Sequence, residues 1–247
     1  MQYLTRIISV ACLLMVSMVP AFAADGVTPV TLKAADGVVV HGVYYQASHP
    51  KALILLFHQA GSGKGEYASI APRLVSAGYS AMAIDQRSGG ELFGTNETVA
   101  ALPKSAGYLE AKPDLEAALA WGQAQKLPIA IWGSSYSSSL VFVIAAEHPD
   151  TVKAVLAFSP GEYFDDKTMI GNAAKKVTVP VYVTSANTPD EISAAHAIIS
   201  QSPSATKVQY IPKSGGVHGS STLLPVRNQA GAEANWTAVL KFLDKVF

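Results

Sequence analysis

Ser135 sits in the run Ile131-Trp132-Gly133-Ser134-Ser135-Tyr136-Ser137, where the residue types and their spacing suit nucleophilic chemistry. A serine hydroxyl attacks well only if a base takes its proton and donors receive the charge that develops on the attacked oxygen. The apolar run Leu127-Pro128-Ile129-Ala130 before it reads as a buried strand, and Leu140 to Ala146 after it reads as a helix. A serine held between strand and helix is the setting of a nucleophile elbow. Its strained turn lifts the hydroxyl above the sheet edge and leaves the next backbone N–H, that of Tyr136, free to bind an oxyanion. Small residues are needed two places before and after, because the two backbones approach closely there. Gly133 meets the first demand; Ser137 stands where a second glycine is expected, so the motif is G-x-S-x-S.

The surrounding elements must hold that turn. After residue 23 the order begins with two β-rich runs, Pro29 to Ala34 and Val38 to Gln46, joined by an Asp36-Gly37 hairpin signal. Ala52 to Phe57 is a continuous apolar strand of the kind buried on both faces of a parallel sheet. A helix follows over Glu66 to Ala77, stopped by Gly78, and then a strand over Ser80 to Ile84. A polar excursion runs to Lys112, and Pro113 opens a helix through Gln125. Beyond the elbow, strands are expected at Val152 to Phe158, Val179 to Thr184 and Lys207 to Ile211, with helices at Glu191 to Ser200 and Glu233 to Val246. This alternation, without repeat or linker, predicts one α/β domain over 24–247 with a mostly parallel eight-stranded sheet flanked by helices and no large cap.

Composition narrows the function classes. Of the 247 residues 49% are hydrophobic and 15% charged, which supplies a large core and excludes general disorder. Eighteen Lys and Arg against eighteen Asp and Glu give no electrostatic ground for nucleic acid or an anionic membrane as partner. Residues 1–23 have a basic start at Arg6, an apolar stretch from Ile7 to Val19 and an Ala21-Phe22-Ala23 ending, the pattern of a secretory signal peptide cut after Ala23. Export to the periplasm or medium is expected, with no membrane association after cleavage. Cys12, the sole cysteine, lies in that leader, so the mature chain has no thiol for a disulfide or a metal. The sequence leaves the oligomeric state open.

Eight expected strands with an antiparallel start, and a G-x-S turn after the fifth, resemble the α/β-hydrolase superfamily over nearly all of the mature chain. The small size and single domain are similar to dienelactone-hydrolase-like and small carboxylesterase-like members, although dienelactone hydrolases proper carry cysteine where Ser135 stands. The resemblance implies a Ser, Asp or Glu, His order along the chain. His218, in the glycine-flanked loop after the last strand, then becomes the base. The acid follows the strand ending at Thr184, where Asp190 and Glu191 are adjacent; Asp190, nearer the strand, is the expected one and Glu191 the alternative. The family's oxyanion hole falls on the N–H groups of Gln59 and Tyr136.

These residues define an expected serine hydrolase acting on a small carboxylic ester or related acyl bond through an acyl-serine intermediate, with no cofactor. A non-catalytic acyl-binding protein on the same fold, should Ser137 distort the elbow, and an acyltransferase or peptidase using the same triad are the alternatives. Gly61-Ser62-Gly63-Lys64 lacks the spacing of a phosphate-binding loop and reads as a flexible turn; Asp85-Gln86-Arg87 reads as buried ion-pair support, and no residue group has credible metal spacing. The stretches Glu91 to Lys112 and Gly161 to Lys176 follow strand ends and are expected to wall the pocket with Leu92, Phe93, Tyr108, Tyr163, Phe164 and Met169.

Overall fold

Leu53–Phe57 is buried at every position, as befits a strand covered on both faces, and the sheet is assembled around it. The computed structural model describes residues 26–247, and the leader expected over 1–23 lies outside them. The strands are β1 (Val27–Lys33), β2 (Val39–Tyr45), β3 (Leu53–Phe57), β4 (Ser80–Ile84), β5 (Ile129–Ser134), β6 (Val152–Phe158), β7 (Val181–Thr184) and β8 (Lys207–Tyr210). They form one eight-stranded sheet in the order β1-β2-β4-β3-β5-β6-β7-β8. β2 runs antiparallel to both β1 and β4, and all other pairs are parallel. The hairpin turn between β1 and β2 uses Gly37 at φ +92°, which a glycine adopts without strain.

Helices α1 (Ile70–Ser76), α2 (Glu97–Ala100), α3 (Lys112–Ala124), α4 (Tyr136–Glu147), α5 (Met169–Ala174), α6 (Pro189–Ile199) and α7 (Ala232–Val246) complete the chain. Alternate residues of the central strands point to opposite sides, so the core divides in two. Leu53, Leu55 and Phe57 pack with α3 and α4 residues such as Leu115 and Phe142. Ile54, Leu56 and Trp132 pack with Leu74 of α1 and Trp236 and Phe242 of α7.

The expected start of the first helix shifts. The helix expected from Glu66 begins instead as a 3₁₀ turn, Lys64–Tyr67, with α1 starting only at Ile70. Pro72 explains the break: it has no N–H for the Ala68 carbonyl, so it fits the first turn of a helix and not the middle of a longer one. Each long excursion also contains a short helix, α2 in the first and α5 in the second. Asn96 caps α2, its side chain accepting a hydrogen bond from the Val99 N–H.

Candidate active site

Three hydroxyl, imidazole and carboxylate groups from widely separated parts of the chain meet above the carboxyl ends of β5, β6 and β7. Ser135 lies between β5 and α4 at φ 57°, ψ −126°, a conformation that costs a non-glycine residue of order 1–3 kcal/mol and persists only where the surroundings impose it. Here they do: the Ser135 N–H donates to Phe158 O at 2.8 Å and its carbonyl accepts from Ser138 N at 2.8 Å. A Cβ on Gly133 would stand 2.2 Å from the Ser137 carbonyl oxygen, so the close approach of strand and helix demands glycine at that position.

Ser137 does not distort this turn. Its side chain points away from Gly133, donating to His58 O at 2.6 Å and accepting from Gln86 Nε2 at 2.8 Å, so it replaces a glycine by a fully buried brace between loops. Ser137→Ala is expected to lower stability by about 1–3 kcal/mol, read as a denaturation midpoint, because both partners stay buried without it.

His218 Nε2 is 2.8 Å from Ser135 Oγ, and His218 Nδ1 is 2.8 Å from Glu191 Oε1. The loop carrying His218 is pinned from below. Ser220 N donates to Ser134 Oγ at 2.9 Å, and Trp132 Nε1 donates to Ser220 Oγ at 2.9 Å. Gly219, at φ +66°, permits this: a Cβ there would be 2.5 Å from Ser134 Oγ.

The carboxylate against His218 is that of Glu191, and the expectation of Asp190 is corrected. α6 begins at Pro189, and successive helical residues fan out by about 100°. Asp190 therefore faces solvent while Glu191 turns inward. Glu191 Oε2 accepts from Ser159 Oγ at 2.7 Å and from Ala186 N at 2.9 Å. Burial alone would raise its pKa, but the bonds from His218, Ser159 and Ala186 outweigh it and hold the carboxyl at about 2. Ser159, itself strained at φ +60°, also accepts from Gly219 N at 2.9 Å. No motif in the sequence marks it.

The expected donor Gln59 is also corrected. Its N–H is donated to Glu66 Oε2 at 2.9 Å and is not free for a ligand. On the same loop the Ala60 N–H has no intramolecular partner among the described residues, and the Tyr136 N–H, first in α4, has none within its helix. His58 is fully buried. Its Nδ1 is 2.8 Å from Gln59 O and its Nε2 accepts from Gln86 N at 2.8 Å, while burial pushes its pKa down to about 4. It is thus a neutral bracket for the loop. The turn expected to be flexible at Gly61-Ser62-Gly63-Lys64 is tied down at its end, where Lys64 is paired with buried Asp85 at 2.6 Å and with Glu97. Arg87 makes the corresponding pair with buried Asp114 at 2.7 Å.

A cleft of about 560 Å³ is lined by Tyr108, Tyr163, Phe164 and Met169 and rimmed by Glu110, Asp165 and Asp166; Ser135, Glu191 and His218 do not line it, and Tyr163 links it to them. Tyr108 stacks on Tyr136 with ring centroids 4.5 Å apart, and the Tyr163 hydroxyl lies beside that of Ser135. Leu92 and Phe93, expected in this wall, are elsewhere: Leu92 is exposed, and Phe93 packs on the opposite core face beneath Arg227. A larger groove of about 680 Å³ between β8 and α7 contains none of the residues around Ser135.

The sheet order, the strained serine between β5 and α4, and the histidine after β8 define an α/β-hydrolase fold, and the chain is a serine hydrolase. Residues 48–203, more than half of the chain, match the family described as Serine aminopeptidase, S33, and the chain belongs to that family. Solved structures with the same fold include a dienelactone hydrolase from Anabaena variabilis, 19% identical over 90% of this chain and 96% of that one with a TM-score of 0.67. A cold-adapted esterase from an Arctic intertidal metagenomic library is 22% identical over 92% and 97% with a TM-score of 0.68. An esterase from Pyrococcus furiosus is 15% identical over 89% and 90% with a TM-score of 0.64. None of the curated proteins matches the chain.

Proposed function

We propose that the protein is an exported serine esterase that cleaves small, uncharged carboxylic esters through an acyl-Ser135 intermediate. The observation that carries this reading is the continuous hydrogen-bonded line from Ser135 Oγ through His218 to Glu191, with 2.8 Å at each step. His218 takes the hydroxyl proton as Ser135 attacks the acyl carbon. Glu191 orients the ring and stabilises the imidazolium, which then protonates the leaving alcohol; water repeats the cycle on the acyl group. The Tyr136 and Ala60 N–H groups are the donors suited to the oxyanion. The 2.8 Å contact of Ser135 with His218 also favours turnover over the alternative of binding without chemistry, which called for a separation well beyond the ~3.2 Å of a working hydrogen bond.

The cleft supports the choice of substrate. Its aromatic walls suit a short acyl chain, and its lining includes three carboxylates and no Lys or Arg, while Lys167 Nζ donates to the carbonyl of the lining residue Phe164 at 2.7 Å. An ester bearing its own carboxylate meets like charge there. In a p-nitrophenyl ester series kcat/KM is expected to rise through short chains at up to ~0.8 kcal/mol per methylene and to stop rising before about eight carbons, because the cleft desolvates little more. Hemisuccinate or similar anionic esters are expected to be poorer than neutral esters of equal length. Rates that still climb beyond eight carbons, or a preference for the anionic esters, would contradict the assignment. The leader pattern over 1–23 supports export, and among the described residues no helix is long and apolar enough to cross a membrane. Mass analysis of the protein recovered from a secretion-competent bacterial host is expected to give Ala24 as the first residue; an intact leader would refute cleavage.

A further inference from the structure

Among the described residues, Glu66 is the one buried carboxylate beside the site that the proposed mechanism leaves unused. It lies in the 3₁₀ turn Lys64–Tyr67, is 1% exposed, and no Lys or Arg among the described residues is paired with it. The neighbouring Lys64 turns away to Asp85 and Glu97. The carboxylate instead collects neutral donors. Ser134 Oγ donates to Oε1 at 2.7 Å, Gln59 N donates to Oε2 at 2.9 Å, and the Ser62 hydroxyl lies beside it. Ser134 Oγ in turn accepts from Ser220 N at 2.9 Å. One side chain thus joins the loop before Ala60, the residue before Ser135 and the turn just after His218.

We infer that Glu66 is a positioning residue of the hydrolytic site: its carboxylate locks these three segments in register, and its charge favours the His218 imidazolium that forms as Ser135 is acylated. The inference rests on the hydrolase reading above. A tie alone needs no charge, since a neutral amide could accept the Gln59 N–H and meet the Ser134 hydroxyl. An ionised carboxylate without a cation is costly to bury. It has a compensating use where positive charge appears during reaction, because a fixed anion in a water-free site is screened little. Glu191 is more open to solvent, with 28% of its side chain accessible. The titratable groups facing Glu66 are His218 from the loop after β8, Tyr136 from α4, and Tyr67 of its own turn. Burial raises both phenols, so neither is charged at neutral pH, and His218 is the facing group that gains a proton in the proposed step. Burial also raises Glu66 to about 7, with the Gln59 and Ser134 bonds opposing.

The test compares wild type, Glu66→Gln and Ser134→Ala in the full mature chain with a short neutral ester. E66Q is expected to lower kcat about tenfold or more at pH 8 with KM within about twofold, and to approach wild type toward pH 5.5, where the Glu66 carboxyl is itself protonated and has no charge to lose. A second readout needs no turnover. With its pKa raised from 4.5 to about 7, Glu66 contributes stability that is fully present below pH 4.5 and lost as pH rises through 7. The Tm of E66Q relative to wild type is therefore expected to climb from pH 5 to pH 8.5. S134A keeps the charge but cuts the link to the His218 turn, and should lower kcat several-fold by a similar factor at pH 5.5 and pH 8. A folded E66Q with wild-type kcat at pH 8, or one impaired equally at pH 5.5 and pH 8, overturns the inference. If E66Q does not fold, an S134A enzyme with unchanged kcat overturns it. A wild type that neither hydrolyses esters nor reacts at Ser135 removes the hydrolase reading and this inference with it, whereas an active wild type with unaffected variants removes this inference alone.

Discussion

His218→Ala is expected to reduce kcat on a short ester by about four to six orders of magnitude while the fold stays intact. Among the described residues the imidazole is the only base in contact with the Ser135 hydroxyl, at 2.8 Å, and at neutral pH an unassisted serine is almost wholly protonated. Little else depends on the ring. Its side chain is 40% exposed, and the loop that carries it is held by Ser220 and by Asn228, whose Nδ2 donates to Gly215 O at 2.8 Å and Thr222 O at 2.7 Å. Tm should therefore change little. Because Ser135 and His218 act as one unit, the double variant S135A/H218A should be scarcely worse than either single one. Loss of less than about tenfold, or full additivity of the two, would mean that the proton goes elsewhere.

The second large effect separates two adjacent carboxylates. Glu191→Gln is expected to reduce kcat by about three to four orders of magnitude, the scale seen when a triad acid becomes an amide, whereas Asp190→Ala should stay within about threefold of wild type. Glu191 receives His218, Ser159 and Ala186, so an amide in its place must turn an N–H toward at least one donor and lose the charge that stabilises the imidazolium. Asp190 is solvent-exposed in the first turn of α6 and should show only the small stability change of a charge at a helix N-terminus, about 0.3–1 kcal/mol. The pH dependence has a definite sign. With a folded-state value of about 2 against 4.5 unfolded, Glu191 contributes stability present above pH 4.5 and lost as pH falls through 2. Activity lost between pH 6 and 4 is then not due to protonation of Glu191. Steady-state kinetics of E191Q and D190A measure this contrast directly, and a D190A enzyme as impaired as E191Q would refute it.

The strand pattern and the elbow were legible because each rests on local chemistry. Continuous apolar runs marked the central strands, and Gly133 with Ser135 marked the turn, as the 2.2 Å clearance above Gly133 explains. His218 could be found from its place after the last strand. The acid could not be fixed by distance along the chain, since which of two neighbours faces inward depends on where α6 begins its first turn. Gln59 was misassigned for a related reason. Whether a backbone N–H is free depends on what lies beneath it, and Glu66 arrives from a segment that reads as an ordinary helix start. Ser159 and Ser134, ordinary residues in sequence, gain their roles only from contacts 32 and 68 positions away.

Whether Ser135 is an activated nucleophile is the central question, and a fluorophosphonate answers it without knowledge of the substrate. The measurement is the intact mass of the folded mature protein after brief exposure to the reagent at neutral pH, followed by peptide mapping. The expected result is a single adduct on Ser135, formed quickly in wild type, absent in S135A and slowed at least a hundredfold in H218A or after unfolding. No adduct on the folded protein, or an adduct at Ser134, Ser137 or another serine with Ser135 untouched, would contradict the account.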